Sequence, residues 1–335
     1  MSSYSRTPFL FVIFCFISIS CTKSTQNKNI VPGTTVYVAG NNGTNPVLWK
    51  NGNAETLSES EGYASQVVLY GNDIYVAGIS GESGGVSPAG PSGQYVYWKN
   101  GTQVKIGNPA FLRTGDVKVS ASGNNVYFAN GLSWKNGSVI PLQGQGEGFV
   151  QSTFTAGNDI YFTGSDSVGD AVYWKNGILN VVEQGYFPKY NSGSDPMAFC
   201  IFVSGPDVYV GGLDTNNAGT YWKNGIATTL HSTIAGSSVF GVTSIFVSGD
   251  DIYVSAILFV PANGGVNTPA YWKNGIEYDL PLNGTTSGYT TSLYVSGSDV
   301  YASGNTSAGA VYWKNGVETI LSSAGEAQSI FVQQN

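Results

Sequence analysis

The tetrapeptide Trp-Lys-Asn-Gly occurs seven times in this chain, starting at Trp49, Trp98, Trp134, Trp174, Trp222, Trp272 and Trp313, and these are all of its tryptophans. Successive copies lie 36 to 50 residues apart. A unit of this length, repeated, is one supersecondary piece that must stack on its neighbours to bury its apolar faces. Asn-Gly between two apolar runs signals a hairpin with a type I′ turn, because both central residues of that turn take positive φ. Upstream of each copy runs a strictly alternating segment: "TVYVAG" at 35, "DIYVAG" at 73, "NVYFAN" at 125, "DIYFTG" at 159, "DVYVGG" at 207, "DIYVSA" at 251 and "DVYASG" at 299. Alternation of β-branched and aromatic residues with polar ones is a strand pattern. Before most of these runs stands another short apolar run and a Gly-containing turn, as in "SIFVSGD" from Ser244. After each WKNG come four variable residues and an aliphatic one: Leu57, Ile106, Leu142, Val182, Leu230, Leu280 or Leu321.

The unit is therefore four antiparallel strands, A (SIFV), B (DIYV), C (AYWK) and D (ending at the aliphatic residue), and four-stranded units at this period predict an all-β, seven-bladed β-propeller. The two ends of the chain sharpen this reading. The first unit begins at strand B and lacks strand A, whereas "AQSIFVQQN" at the carboxy terminus is a strand A with nothing after it. Together they complete one blade, so the last strand is expected to pair with the amino-terminal blade and close the ring. The order of strands and turns resembles WD40-type and related bacterial lipoprotein propeller repeats over residues 35–335. The Gly-His and Trp-Asp dipeptides of WD40 repeats are absent, so no WD40 partner is implied.

If strands B and C pair with Ile252 opposite Trp272 and Tyr253 opposite Tyr271, the indole lies on the sheet face that also carries Ile and Val. Seven such indoles would fill the wedges between blades, each burying some 150 to 250 Å². The same register sets Asp251 against Lys273, and the combination recurs as Asp73 with Lys99, Asp159 with Lys175, Asp207 with Lys223 and Asp299 with Lys314; Asn125 and Thr35 replace the Asp in blades 3 and 1. These are expected to be ion pairs within blades rather than a ring for an anion or metal.

The amino terminus carries an apolar run from Phe9 to Ile17 behind Arg6. Nine residues are too few to span a bilayer and suit a signal-peptide core, so residues 1–20 are expected to be an export signal. The segment before Cys21 resembles a bacterial lipoprotein signal, with Ser18 where Leu is usual. That resemblance implies acylation of Cys21, a linker over 21–34, and the propeller held on a membrane by lipid alone. The expected location is the cell envelope, as an outer-membrane or periplasm-facing lipoprotein, or otherwise secreted. Cys15 leaves with the signal, so Cys200 has no disulfide partner and reads as a small buried hydrophobe.

Only 10% of the residues are charged, net charge is −7 and the pI is about 4.6, which argues against nucleic acid as a partner. The single histidine, His231, stands in "TLHST" with no nucleophile motif and reads as an exposed loop residue. "DTNNAG" from Asp214 imitates the start of a calcium loop but places Gly225 where the bidentate Glu belongs. Asp166 and Asp170 in "DSVGD" read as solvated loop carboxylates. No cofactor, no metal and no catalytic activity is expected.

Sequence variation falls in the B-to-C and D-to-A connections, which share one face of a propeller with this strand order. The longest are residues 79–94 and 183–197. Tyr186, Phe187, Lys189 and Tyr190, with Arg113 on the same face, are the ligand-binding candidates, an aromatic and cationic mix suited to a protein contact or sugar stacking. The chain is expected to be a monomeric binding or scaffolding module for protein partners, with carbohydrate binding as the alternative and a hydrolase or lyase built from separate loops as the third reading.

Overall fold

The structure, a computed structural model, describes residues 33–81, 93–106, 116–185 and 195–334. Its strands form seven separate four-stranded antiparallel sheets, and the chain is a seven-bladed β-propeller. Blade 6 shows the unit at its longest: strand A is Ser238–Ser248, B is Asp251–Val260, C is Val266–Lys273 and D is Ile276–Asp279. Strand A lies innermost in each blade and D outermost. The ring closes as the repeat requires. Glu326–Gln334 pairs antiparallel with Thr34–Asn41, placing Val332 opposite Val36 and Phe331 opposite Tyr37.

Each residue of WKNG has a separate mechanical task. In all seven copies the Asn takes φ between 49° and 52° and the Gly a positive φ of 74° to 84°, the pair of left-handed residues that the turn demands. The Asn side chain also reaches across to the start of strand B. Asn274 Oδ1 accepts the Ile252 N–H at 2.9 Å, its Nδ2 donates to Asp251 Oδ1 at 2.7 Å, and its own N–H donates to the Ile252 carbonyl at 2.9 Å. The Lys ammonium sits 5.2 to 5.7 Å from the centre of the strand B tyrosine ring in every blade. Where strand B opens with Asp, the same Lys meets that carboxylate at 2.7 to 2.9 Å. In blade 3 the hook persists without the ion pair, as Asn136 Nδ2 donates to Asn125 Oδ1.

The five ion pairs are thus present, but the register expected between strands B and C is off by two residues. Tyr253 stands opposite Lys273 and Val254 opposite Trp272, so Asp251 reaches Lys273 diagonally. A slip of two keeps every side chain on its expected face, because the side-chain period of a strand is two. Trp272 therefore still shares a face with Ile252 and Val254.

The indoles fill the wedges. Six of the seven tryptophans are fully buried, and Trp134 is 7% exposed. The buried apolar residues fall into seven clusters, each joining two adjacent blades. Trp222 of blade 5, for example, packs on Tyr161, Ala171 and Val182 of blade 4. Four indole N–H groups donate into the preceding blade, just after its aliphatic end-of-strand residue: Trp174 to the Gln143 carbonyl, Trp222 to Glu183 Oε2, Trp272 to the His231 carbonyl and Trp313 to the Pro281 carbonyl, at 2.7 to 3.1 Å. The recurrent aliphatic residue is thus the floor on which the next blade's indole rests.

Strand A bulges by one residue in most blades, which brings its carbonyls close over strand B. A Cβ at Gly164 would overlap the Phe149 carbonyl, and one at Gly304 would strike both the Tyr289 carbonyl and the Trp313 ring. Blade 6 has Ala256 at this place, and its strand A carries a second bulge between Phe240 and Val242.

Candidate functional site

Alternation along strand A sends Ile245 and Val247 into the wedge with the preceding blade, while Ser244 and Phe246 turn toward the axis and the following blade. The seven inner strands together enclose a central channel with a cavity of about 500 Å³. Its wall is layered, because equivalent residues of seven blades stand at one height.

The middle layer is an aromatic collar. Phe154, Phe202, Phe246, Tyr294 and Phe331, from blades 4, 5, 6, 7 and 1, touch in succession with ring centres 4.7 to 5.1 Å apart and planes tilted 46° to 52°. Such tilted contacts are favourable for ring quadrupoles. Blades 2 and 3 interrupt the collar, with Val68 opposite Tyr75 and Ser120 opposite Tyr127. Two residues earlier on each strand lies a hydroxyl-rich layer of Ser152, Ser244, Ser292 and Ser329, with Cys200, Gln66 and Lys118 at the other three places. Among the described lining residues Lys118 alone carries a charge. Its ammonium is 3.4 Å from Asp116 Oδ2 and its side chain is 25% exposed.

Where rings are missing, polar side chains join the blades. Ser120 and Thr153 hydroxyls share a hydrogen bond at 2.9 Å, and Thr155 Oγ1 donates to the Ala121 carbonyl at 3.0 Å. Ser65 Oγ donates to the Val117 carbonyl at 2.6 Å, Val119 N–H to Gln66 Oε1 at 2.6 Å, and Val67 N–H to Ser329 Oγ at 3.3 Å. Burial raises the Tyr294 phenol above its ordinary range. Cys200 is half-buried, its sulfur turned to the Gly211 carbonyl 3.8 Å away, and burial pushes the thiol up to about 12. It is neutral at physiological pH and unsuited to nucleophilic work.

The sequence candidates fare differently. Arg113, Tyr186, Phe187, Lys189, Tyr190 and the lipidation residue Cys21 lie outside the described residues. His231 is exposed, and its contribution is the carbonyl that accepts the Trp272 indole. Asp166, expected to be solvated, is buried, and so is Asp214 of the loop that imitates a calcium site. Asp166 Oδ1 accepts the N–H groups of Val168 and Asp170, and Asp214 Oδ1 those of Asn216 and Ala218, each at 2.8 to 3.0 Å. Both carboxylates therefore tie down their own B-to-C loops. Asp170 is likewise engaged, accepting the Gly185 N–H at 2.8 Å. Among the described residues no group of three or more His, Cys, Asp or Glu could hold a metal. The channel was readable in principle from the third position of each SIFV run.

No family model and no curated protein matches the chain. Some solved structures are similar to it at low identity. The computationally designed Ika8 protein is 14% identical, with 82% of this chain and 79% of that one covered and a TM-score of 0.46. A chain of the Nidogen/Laminin complex is 10% identical over 90% of this chain and 98% of its own, at a TM-score of 0.41. AztD from Citrobacter koseri, in its apo form, is 9% identical over 90% and 97%, at 0.39. Similarity at this level assigns no function to the chain.

Proposed function

We propose that this chain is a binding module exported to the bacterial cell envelope, held there by acylated Cys21, which takes a protein partner on the face formed by its B-to-C and D-to-A connections. The observation that carries the reading is the contrast between the two faces. One face consists of two-residue turns, Gly-first between A and B and Asn-Gly between C and D, repeated with little change from blade to blade. The other face gathers the strand A bulges and the blade 6 hairpin, whose strands B and C run on to Val260 and Val266. Beside it Phe240 of strand A, 42% exposed, lies against Phe259 of strand B with ring centres 6.3 Å apart. Exposed aromatics on a rigid support are the usual anchors of protein interfaces.

The test is a pull-down from envelope extract with wild type, Phe240→Ser, and the double variant Tyr186→Ala with Tyr190→Ala. A partner retained by wild type and lost by these variants, all with unchanged thermal unfolding, supports the reading. Equal capture by all three defeats it. Cys21→Ser should move the protein from the membrane to the soluble fraction; membrane association that persists removes the anchor.

Carbohydrate binding is the second reading, favoured by one feature. A groove of about 400 Å³ lies between blades 2 and 3, beside the two-residue strand D of blade 3, and brings Tyr97 together with Lys99, Lys105 and Asp73. A glycan screen in which Tyr97→Ala abolishes a signal would favour this groove over the loop face.

A further inference from the structure

The central channel combines a collar of five rings, a gap in that collar at two adjacent blades and, among the described lining residues, one cation on a strand of the gap. Lys118 stands two residues before Ser120 on the same side of the same strand, one layer from the place where the collar is open, with its ammonium 3.4 Å from Asp116 Oδ2. A cavity of about 500 Å³ falls within the range of small-molecule sites, which are mostly apolar with a few orienting polar groups.

We propose that this channel is a binding site for a small aromatic carboxylate, its planar body held by the collar from Phe154 to Phe331 and its carboxylate by Lys118 at the hydroxyl layer. Three features fix the class. The collar offers ring edges and faces, which select a planar apolar body over an aliphatic one. At the collar's own height the polar side-chain groups among the described residues are the Tyr294 phenol and the Ser120 hydroxyl, the latter already bonded to Thr153, so most hydroxyls of a sugar ring would be left unpaired there. The one ammonium among the described lining residues, partly shared with Asp116, matches one negative charge; a phosphate dianion asks for several convergent donors. The serines of the upper layer supply hydroxyls at the height of the ammonium, where the carboxylate's second oxygen would lie.

Phe240 is not among the described residues that line the channel, so this site and the proposed partner surface can fail independently. The experiment is calorimetric titration of the full-length protein with benzoate, its neutral isostere benzamide, and acetate. Benzoate is expected to bind, with benzamide weaker by about ten- to hundred-fold, the worth of a hydrogen bond to a charged group, and acetate weaker still. Lys118→Met should weaken benzoate by a similar factor and leave benzamide unchanged. Val68→Phe, which installs at blade 2 the ring that five other blades carry, should abolish binding of both while keeping the wild-type unfolding transition. Equal affinity for benzoate and benzamide, an indifferent Lys118→Met, or no binding to folded wild type would each overturn the assignment. Loss of partner capture in Phe240→Ser with benzoate titration intact would confirm that the two surfaces are distinct.

Discussion

Around the same ring, the junctions from blade 4 through 7 to blade 1 and those from blade 1 through 2 and 3 to blade 4 are built differently at the axis. The first set joins inner strands mainly through Phe154, Phe202, Phe246, Tyr294 and Phe331, ring against ring, with the Thr291 hydroxyl donating to the Ala327 carbonyl at the junction of blades 7 and 1. The second uses hydroxyls and an amide, with Ser65, Gln66, Ser120 and Ser329 bonding across to neighbouring strands. Both sets have the same indole wedges further out. The outer wedge is therefore the part every blade needs, and the axial position is free to vary. A fold with that division of labour can alter its channel without risking its ring.

If that division is right, removing an indole should hurt equally in either arc. Trp272→Ala and Trp98→Ala each leave a large cavity at a fully buried site and should cost about 3 to 5 kcal/mol in denaturant unfolding. A cost in one arc less than half that in the other would break the equivalence. The axial positions should separate the arcs at smaller scale. Phe246→Ala, half-buried, should cost about 2 kcal/mol, and a double-mutant cycle with Phe202 should show about 1 kcal/mol of coupling. Ser120→Ala, which strands the buried Thr153 hydroxyl, should cost about 1 kcal/mol. Equal costs for Phe246 and Ser120 would mean that the collar adds no packing energy of its own.

The smallest effect is electrostatic. Lys first, and then the turn Asn, hold the carboxyls of Asp73, Asp159, Asp207, Asp251 and Asp299 below the usual carboxylate range. A depressed folded value means that the stabilisation is complete above the unfolded value, about 4, and is lost as pH falls through the lowered one. These groups are largely exposed, so each should shift the melting temperature by on the order of a degree between pH 5 and 2, less at high salt. Four of the five lie in blades 4 to 7, and blades 1 and 3 have none. Asn125→Asp should therefore add acid sensitivity to blade 3, read as a steeper fall of melting temperature below pH 4; an unchanged slope would show that the pair needs more than its Asp.

Much of this fold could be read in the chain before any coordinate. Asn-Gly fixed the C–D turns because few residues accept two successive positive φ angles, and the invariant aliphatic residue after it marked the floor of the next wedge. The B–C register could not be read in the same way. Alternation sets which face a side chain takes but is blind to a slip of two, and the B-to-C connections vary too much in length to pin it. The hook of Asn274 onto Ile252 and the seating of Lys273 over Tyr253 decide it, and both are contacts between strands. The carboxylate of Asp166 reads as solvated, yet is buried, for a related reason, and Asp214 is held in the same way. A loop sequence does not reveal that its own amides curl onto the side chain.

The candidate site divides along the same line. Phe246 and its counterparts were visible as a repeated letter in the SIFV runs, yet a repeated aromatic in a strand reads equally as wedge filler. Only closure of the ring brings third positions from residues as distant as Phe154 and Phe331 to one axis, and only there do Val68, Ser120 and Lys118 become a gap with a charged residue one layer from it. Local chemistry determined the turns, the strand faces, the number of blades and the meeting of the two termini, since each follows from near neighbours or from counting units. What the channel contains was decided by tertiary structure alone, because it is a property of seven segments converging on a line that no one of them encodes.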